Sequence, residues 1–311
     1  MTRRIGRDDV ERAAETLGDR VRRTPVVDIE AGVFGPEPVT LKLELLQHTG
    51  SFKARGALNA LTLAGDRAAA GVIAASGGNH GLAVAWAARQ VGCVATVFVP
   101  TTAPATKVAG LRSLGADVRQ VGDVYADALA AAREEIERTG AFSVHAYDDE
   151  PVVAGQGTVG LELLADRPQL DTVLVAVGGG GLAGGVAAAL DGGPRLVAVE
   201  PDGCPTYHAA LAAGGPVDVA VGGLASDALG ASRLGEHGWL GLSKAGATSV
   251  LVPPEAIAEA RGLLWRTVKV AAEPGGATAL AALTSGAYLP SPGERIAVVV
   301  CGGNADPADL G

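Results

Sequence analysis

Thr49-Gly50-Ser51-Phe52-Lys53-Ala54-Arg55-Gly56-Ala57 sets a lysine between a glycine turn and an Ala/Leu-rich helical run, next to an aromatic ring. A lysine at such a junction is partly withdrawn from water. Desolvation disfavours the ammonium, lowers the pKa and frees the amine to attack a carbonyl. Alone, the stretch is an ordinary helix start. It gains meaning from three glycine-rich turns further along, each placed after a predicted strand: Ser76-Gly77-Gly78-Asn79-His80-Gly81, Gly178-Gly179-Gly180-Gly181 and Cys301-Gly302-Gly303-Asn304.

Outward from that lysine, short β-rich runs alternate with Ala-rich helical runs. The spacing predicts strands over 40–43, 72–75, 95–99, 118–121, 172–177, 196–199 and 295–300. It predicts helices over 50–63, 79–91, 106–114, 123–139, 155–164, 182–190 and 254–268, the one at 123–139 with a clear 3.6-residue apolar period. Residues 214–223 read as a surface loop. Strands alternating with helices imply parallel sheets covered on both faces. Two α/β units of unequal size fit: a small one over 71–147, and a larger one from 1–70 and 148–311. All three glycine turns then lie at carboxyl ends of strands, where open α/β sheets bind ligands.

In the 178–181 turn, successive backbone N–H groups can converge on one anion, and the helix that follows adds its positive end. The same turn contains Gly179-Gly180-Gly181-Leu182-Ala183-Gly184, a G-x-G-x-x-G match, with Glu200 at the end of the next strand roughly 20 residues on. A nicotinamide-type oxidoreductase is therefore a rival on local pattern, although it leaves Lys53 and the 76–81 loop without a role. Ser76, Asn79 and the main-chain N–H groups of that loop suit a carboxylate ligand. Asn79 also reads as a plain N-cap and His80 as a structural histidine. Cys301 reads either as a buried structural thiol or as the neighbour of a ring nitrogen.

The chain has 311 residues, 48% of them hydrophobic, 45 glycines and a net charge of −9. The acidic balance argues against nucleic acid or an anionic membrane as partner. Cys93, Cys204 and Cys301 show no metal-like pairing, which suits a reduced compartment. The N-terminus lacks an apolar signal-peptide core, and no apolar run approaches the ~20 residues of a membrane span. A soluble cytoplasmic protein is expected.

Together, the segment from Lys42 through Lys53, the 76–81 loop, Ala154-Gly155-Gln156-Gly157-Thr158, the 178–181 turn, Glu273-Pro274-Gly275-Gly276-Ala277 and the 301–304 turn resemble the serine/threonine dehydratase branch of the fold-type II pyridoxal phosphate enzymes. That branch also holds serine racemases and 3-hydroxyaspartate dehydratases. The resemblance spans about residues 24–304. It implies a tryptophan-synthase-β-like fold with pyridoxal 5′-phosphate between two unequal domains. It also implies elimination of water from L-serine or L-threonine to give a 2-oxo acid and ammonia.

Position by position, it implies that Lys53 forms the Schiff base and later serves as general base. Phe52 packs on the cofactor ring, Asn79 bonds its 3′-oxygen, and Gly178, Gly179, Gly180 and Gly181 hold the phosphate. Glu273 lies in the pocket and Cys301 beside the pyridine nitrogen. Ser76, Gly77, Asn79 and His80 take the substrate carboxylate. A thiol cannot keep that nitrogen protonated as a carboxylate would, so the ring is a weaker electron sink, which suits elimination. Racemases and hydroxyaspartate dehydratases carry a serine where this chain has Gly77, so both activities are expected to be weak. A metal site known in the family would fall on Glu200, with Thr206 in place of a second acid and only the carbonyl of Cys204. No isoleucine-binding regulatory domain is expected. Relatives are commonly dimers, so a homodimer is the expected assembly, with a small hydroxyamino acid as ligand.

Overall fold

A computed structural model describes residues 2–306. The chain opens with α1 (Arg7–Leu17), then β1 (Val26–Ile29), β2 (Val39–Lys42) and α2 (Lys53–Ala64). A compact alternation follows: β3 (Val72–Ala75), α3 (Asn79–Val91), β4 (Ala95–Val99), α4 (Ala105–Ser113), β5 (Asp117–Gln120), α5 (Tyr125–Thr139) and β6 (Phe142–Ser143). After the long α6 (Glu150–Asp166) come β7 (Thr172–Ala176), α7 (Gly181–Leu190), β8 (Arg195–Pro201), α8 (Thr206–Ala213), α9 (Ser226–Leu229) and α10 (Glu236–Ala245). The last described elements are β9 (Thr248–Val252), α11 (Pro254–Val268), α12 (Pro274–Thr284) and β10 (Ile296–Val299).

The strands form two sheets. The larger has the order β1-β2-β10-β7-β8-β9, and the smaller β5-β4-β3-β6. Every pairing is parallel except β1 with β2 at one edge, where Val26 lies opposite Lys42 and Ile29 opposite Val39. Parallel strands covered on both faces need apolar side chains throughout. β7 and β10 are buried at every position and apolar apart from Thr172, whose hydroxyl donates to Glu294. β5, at the edge of the smaller sheet, is exposed at every position except the half-buried Val118. One apolar core surrounds the larger sheet; a second gathers α2, α3, β3 and β4. Helix α2 thus packs on α3 of the smaller sheet as well as on α6.

Two helices begin where the pattern alone did not put them. The helix expected over 50–63 starts at Lys53, because Ser51 is extended (φ −159°, ψ 161°) and pairs with Gly302. The amide of Phe52 then donates to the Cys301 carbonyl at 3.1 Å. The helix expected over 155–164 begins at Glu150, with Pro151 in its first turn, where a missing N–H costs nothing. Residues 214–223 form a loop, as expected.

Candidate active site

Three strand ends and one helix start converge between the sheets. The turn after β10 runs antiparallel to the segment before α2: Gly303 N donates to Gly50 O at 2.9 Å, and Leu45 N to Val300 O at 2.9 Å. This stitching presents Lys53 in the first turn of α2. Its Nζ donates to the Ala146 carbonyl at 2.5 Å and lies 5.1 Å from the centre of the Phe52 ring. Burial pulls its pKa down to about 8, although Cys301 and Glu273 nearby favour the charged form. About a tenth of the amine is therefore unprotonated at pH 7, far more than for an ordinary lysine.

Asn79 is the first residue of α3, and Gly78 stands at its N-cap without a side-chain cap. The N-cap reading of Asn79 is therefore corrected: its carboxamide faces the other sheet. Its Nδ2 donates to Glu273 Oε1 at 2.5 Å, and its Oδ1 accepts from Asn304 Nδ2 at 2.6 Å. Asn304 is itself tied to the Thr49 carbonyl at 2.7 Å. Glu273 is buried, which raises its pKa to about 7. A Cβ on Gly302 would lie 1.9 Å from Glu273 Oε1, so only glycine lets this carboxylate into the cleft.

His80 Nε2 is 3.0 Å from the Val144 carbonyl, an oxygen that only accepts, so the proton sits on Nε2. Burial, and then the charge of Lys53, push its pKa down to about 3, and the ring is neutral. Ser76 Oγ accepts from Gly78 N at 3.2 Å, which leaves its hydroxyl proton free to donate. Cys301 is buried two residues beyond β10. Its thiol donates to the Gly275 carbonyl at 3.5 Å, and burial followed by the Glu273 charge keeps it protonated.

The 178–181 turn forms the opposite wall. Gly180 adopts φ +83°, a left-handed conformation that favours glycine, and N-caps α7. A Cβ on Gly179 would meet the Tyr147 ring at 2.2 Å. Tyr147 was not anticipated; its ring fixes the back of the turn, and no local pattern announces that contact. Among the described residues, no hydrogen bond engages the amides of Gly178, Gly179 or Gly180. With the positive end of α7 behind them, they are suited to an anion.

Glu200 is buried on β8, and its carboxylate serves α8. It accepts from the amides of Tyr207 at 2.6 Å and His208 at 2.9 Å, with Thr206 Oγ1 at 3.2 Å. Burial raises its pKa to about 7. An acid so enclosed does not present itself to a ribose hydroxyl, which removes the physical basis of the dinucleotide reading. Thr206 Oγ1 also donates to the Gly178 carbonyl at 2.5 Å, so Glu200 and Thr206 brace the turn. Among the described residues, no group of three or more His, Cys, Asp or Glu side chains is placed to hold a metal ion.

Sequence comparison matches residues 17–302 to the family described as "Pyridoxal-phosphate dependent enzyme". The chain is 38% identical over 305 residues to an L-threonine ammonia-lyase of Thermotoga maritima, covering 96% of this chain and 75% of that protein. Among solved structures, maize serine racemase superposes with a TM-score of 0.92 at 33% identity, covering 99% of this chain and 96% of that one. A threonine deaminase from T.th. superposes with a TM-score of 0.89 at 35% identity, covering 97% of this chain and 99% of that one.

Proposed function

This chain belongs to the pyridoxal-phosphate dependent enzymes, in their fold-type II architecture, and we propose that it is an L-serine/L-threonine ammonia-lyase. It would eliminate water from a β-hydroxy amino acid and release a 2-oxo acid and ammonia. The observation that carries this reading is one cleft holding a desolvated lysine amine, a side-chain-free anion cradle and a thiol that stays protonated. The similarity to threonine ammonia-lyase and threonine deaminase supports it.

The residues present fit the cofactor. The free amides of Gly178, Gly179 and Gly180 suit a phosphate, and a Cβ on these glycines would collide with Leu229, Tyr147 or Leu234, so the turn keeps its shape only without side chains. Phe52 beside Lys53 offers a face for a flat ring, and Nδ2 of Asn79 keeps one N–H for a ring oxygen. The Cys301 thiol gives a pyridine nitrogen a neutral neighbour, and Glu273 binds through Asn79. When bound, pyridoxal phosphate supplies an aldehyde that captures amines and a ring that withdraws electrons from Cα.

Everything else falls to the protein. Lys53, with a pKa near 8, can hold or release a proton at Nζ and serves as general base toward Cα–H. Ser76 and the loop amides orient the substrate carboxylate, and neutral His80 props the loop against Val144. Gly77 has no hydroxyl with which to protonate the opposite face, which favours elimination over racemisation. The units 71–147 and 1–70 with 148–311 would approach each other around the substrate. Three unpaired cysteines suit a cytoplasmic setting, and a homodimer is the proposed assembly.

Purified protein should be yellow, and Lys53→Ala should lose the cofactor band near ~410 nm while keeping its far-ultraviolet dichroism. Borohydride should fix the cofactor on the peptide containing Lys53. A label on another peptide, or 2-oxo acid release by Lys53→Ala at the wild-type rate, would refute the assignment.

A further inference from the structure

We propose that Lys107 is the cation that recognises the substrate α-carboxylate, exchanging its resting partner Asp227 for that carboxylate when an amino acid enters the cleft. The inference rests on the ammonia-lyase reading above, and it adds a specificity residue that no motif of the sequence marks.

Lys107 lies on α4, beside the smaller sheet, and Asp227 on α9, beside the larger one. Lys107 Nζ meets Asp227 Oδ1 at 2.8 Å, so the pair spans the mouth of the cleft. The lysine stem runs past the 76–81 loop. A Cβ built on Gly77 would lie 3.9 Å from Lys107 Cδ and 3.5 Å from Val99 Cγ1. With glycine there, no side chain from position 77 stands between the lysine and the loop. Both charges are felt on the far wall, where Lys107 lowers and Asp227 raises the pKa of Glu273.

A carboxylate held by the neutral donors of this loop gains from a positive partner, and neither His80 nor Lys53 is free to serve. His80 is neutral. Lys53 is taken up by the cofactor in the resting holoenzyme and acts on Cα during turnover. Lys107 remains. Its present partner is a weak competitor: Asp227 is 72% exposed, so water screens the pair. A carboxylate held deeper, on the amides of the loop, meets the ammonium with less water between them. Asp227 thus parks the lysine at the entrance without trapping it.

The test compares L-alanine with L-alaninamide, which lack a β-leaving group and differ in the carboxylate charge. Their affinities for the holoenzyme are read from the cofactor absorbance. Wild type should prefer the acid by about tenfold or more. Lys107→Met should bring the ratio near one, Lys107→Arg should keep most of it, and Asp227→Asn should leave it at or above wild type. With L-threonine or L-serine, Lys107→Met should raise KM about tenfold while kcat stays within about threefold.

The proposal is overturned if wild type shows no preference, or if Lys107→Met keeps it. It is also overturned if Asp227→Asn loses the preference as fully as Lys107→Met and the exchanged pair, Lys107→Asp with Asp227→Lys, restores it; the pair would then be a strut between the two units. If wild type releases no 2-oxo acid from any hydroxyamino acid, the ammonia-lyase reading fails, and the alanine ratios still decide the role of Lys107.

Discussion

Lys53 and Glu273 are held in environments that oppose their charged forms, and the protein's pH dependence should show it. Lys53 drops from 10.5 to about 8 on folding. Between those values the unfolded chain binds more protons, so stability rises with pH, and the penalty is complete below pH 8. Glu273 moves the other way, from 4.5 to about 7. Across that window the folded state binds more protons, so stability falls as pH rises, with the full penalty above pH 7. Glu273→Gln should therefore stabilise the cofactor-free protein by about 1–3 kcal/mol at pH 8, an advantage that fades toward pH 4.5. Urea unfolding at the two pH values checks this; equal gains at both would show that charge is not the cause. At this scale the sequence was generous with Lys53, Ser76, Asn79 and Cys301, because each sits in a short motif. It was silent on Lys107 and Asp227, whose contact joins helix starts 120 residues apart.

Among the elements, the small residues of α6 and α7 decide how closely the helices approach. A Cβ on Gly185 would lie 2.3 Å from the Val153 carbonyl and 2.6 Å from Gly157 N. Gly185→Ala must then push the helices apart, at a cost of about 1–3 kcal/mol, although alanine is the better helix former. Thermal unfolding of the holoenzyme measures it; a neutral or stabilising result would mean that the helices slide past each other freely. The strand–helix alternation was legible because buried parallel strands are continuous apolar runs. The start of α2 was not, since Ser51 is held extended by Gly302, a partner some 250 residues away. Nor was the full length of α6, whose first turn hides behind Pro151.

Across the whole molecule, Arg55 is fully buried between Glu44 and Glu162, at 2.6 and 2.7 Å, and Lys42 meets Glu162 at 2.6 Å. This closed set of two cations and two anions fastens β2, α2 and α6 together. Such a set is costly to break by removing one member, whatever its net contribution when intact. The two-sheet plan was readable in outline; the strand order and the antiparallel β1 were not, because pairing between distant strands leaves no local trace.

The chain returns from the smaller sheet through Tyr147 and Asp148. The Tyr147 ring backs Gly179, and the Asp148 carboxylate receives the amides of Glu236 at 3.0 Å and His237 at 2.9 Å. The turn proposed to hold the vitamin's phosphate is therefore continuous with the segment that returns from the smaller sheet, and loosening of one should expose the other. Chymotrypsin should cut after Tyr147 sooner in the vitamin-free protein than in the loaded one, and equal digestion rates would disprove the link. A shortage of vitamin B6 would then leave copies that are both idle and more easily digested.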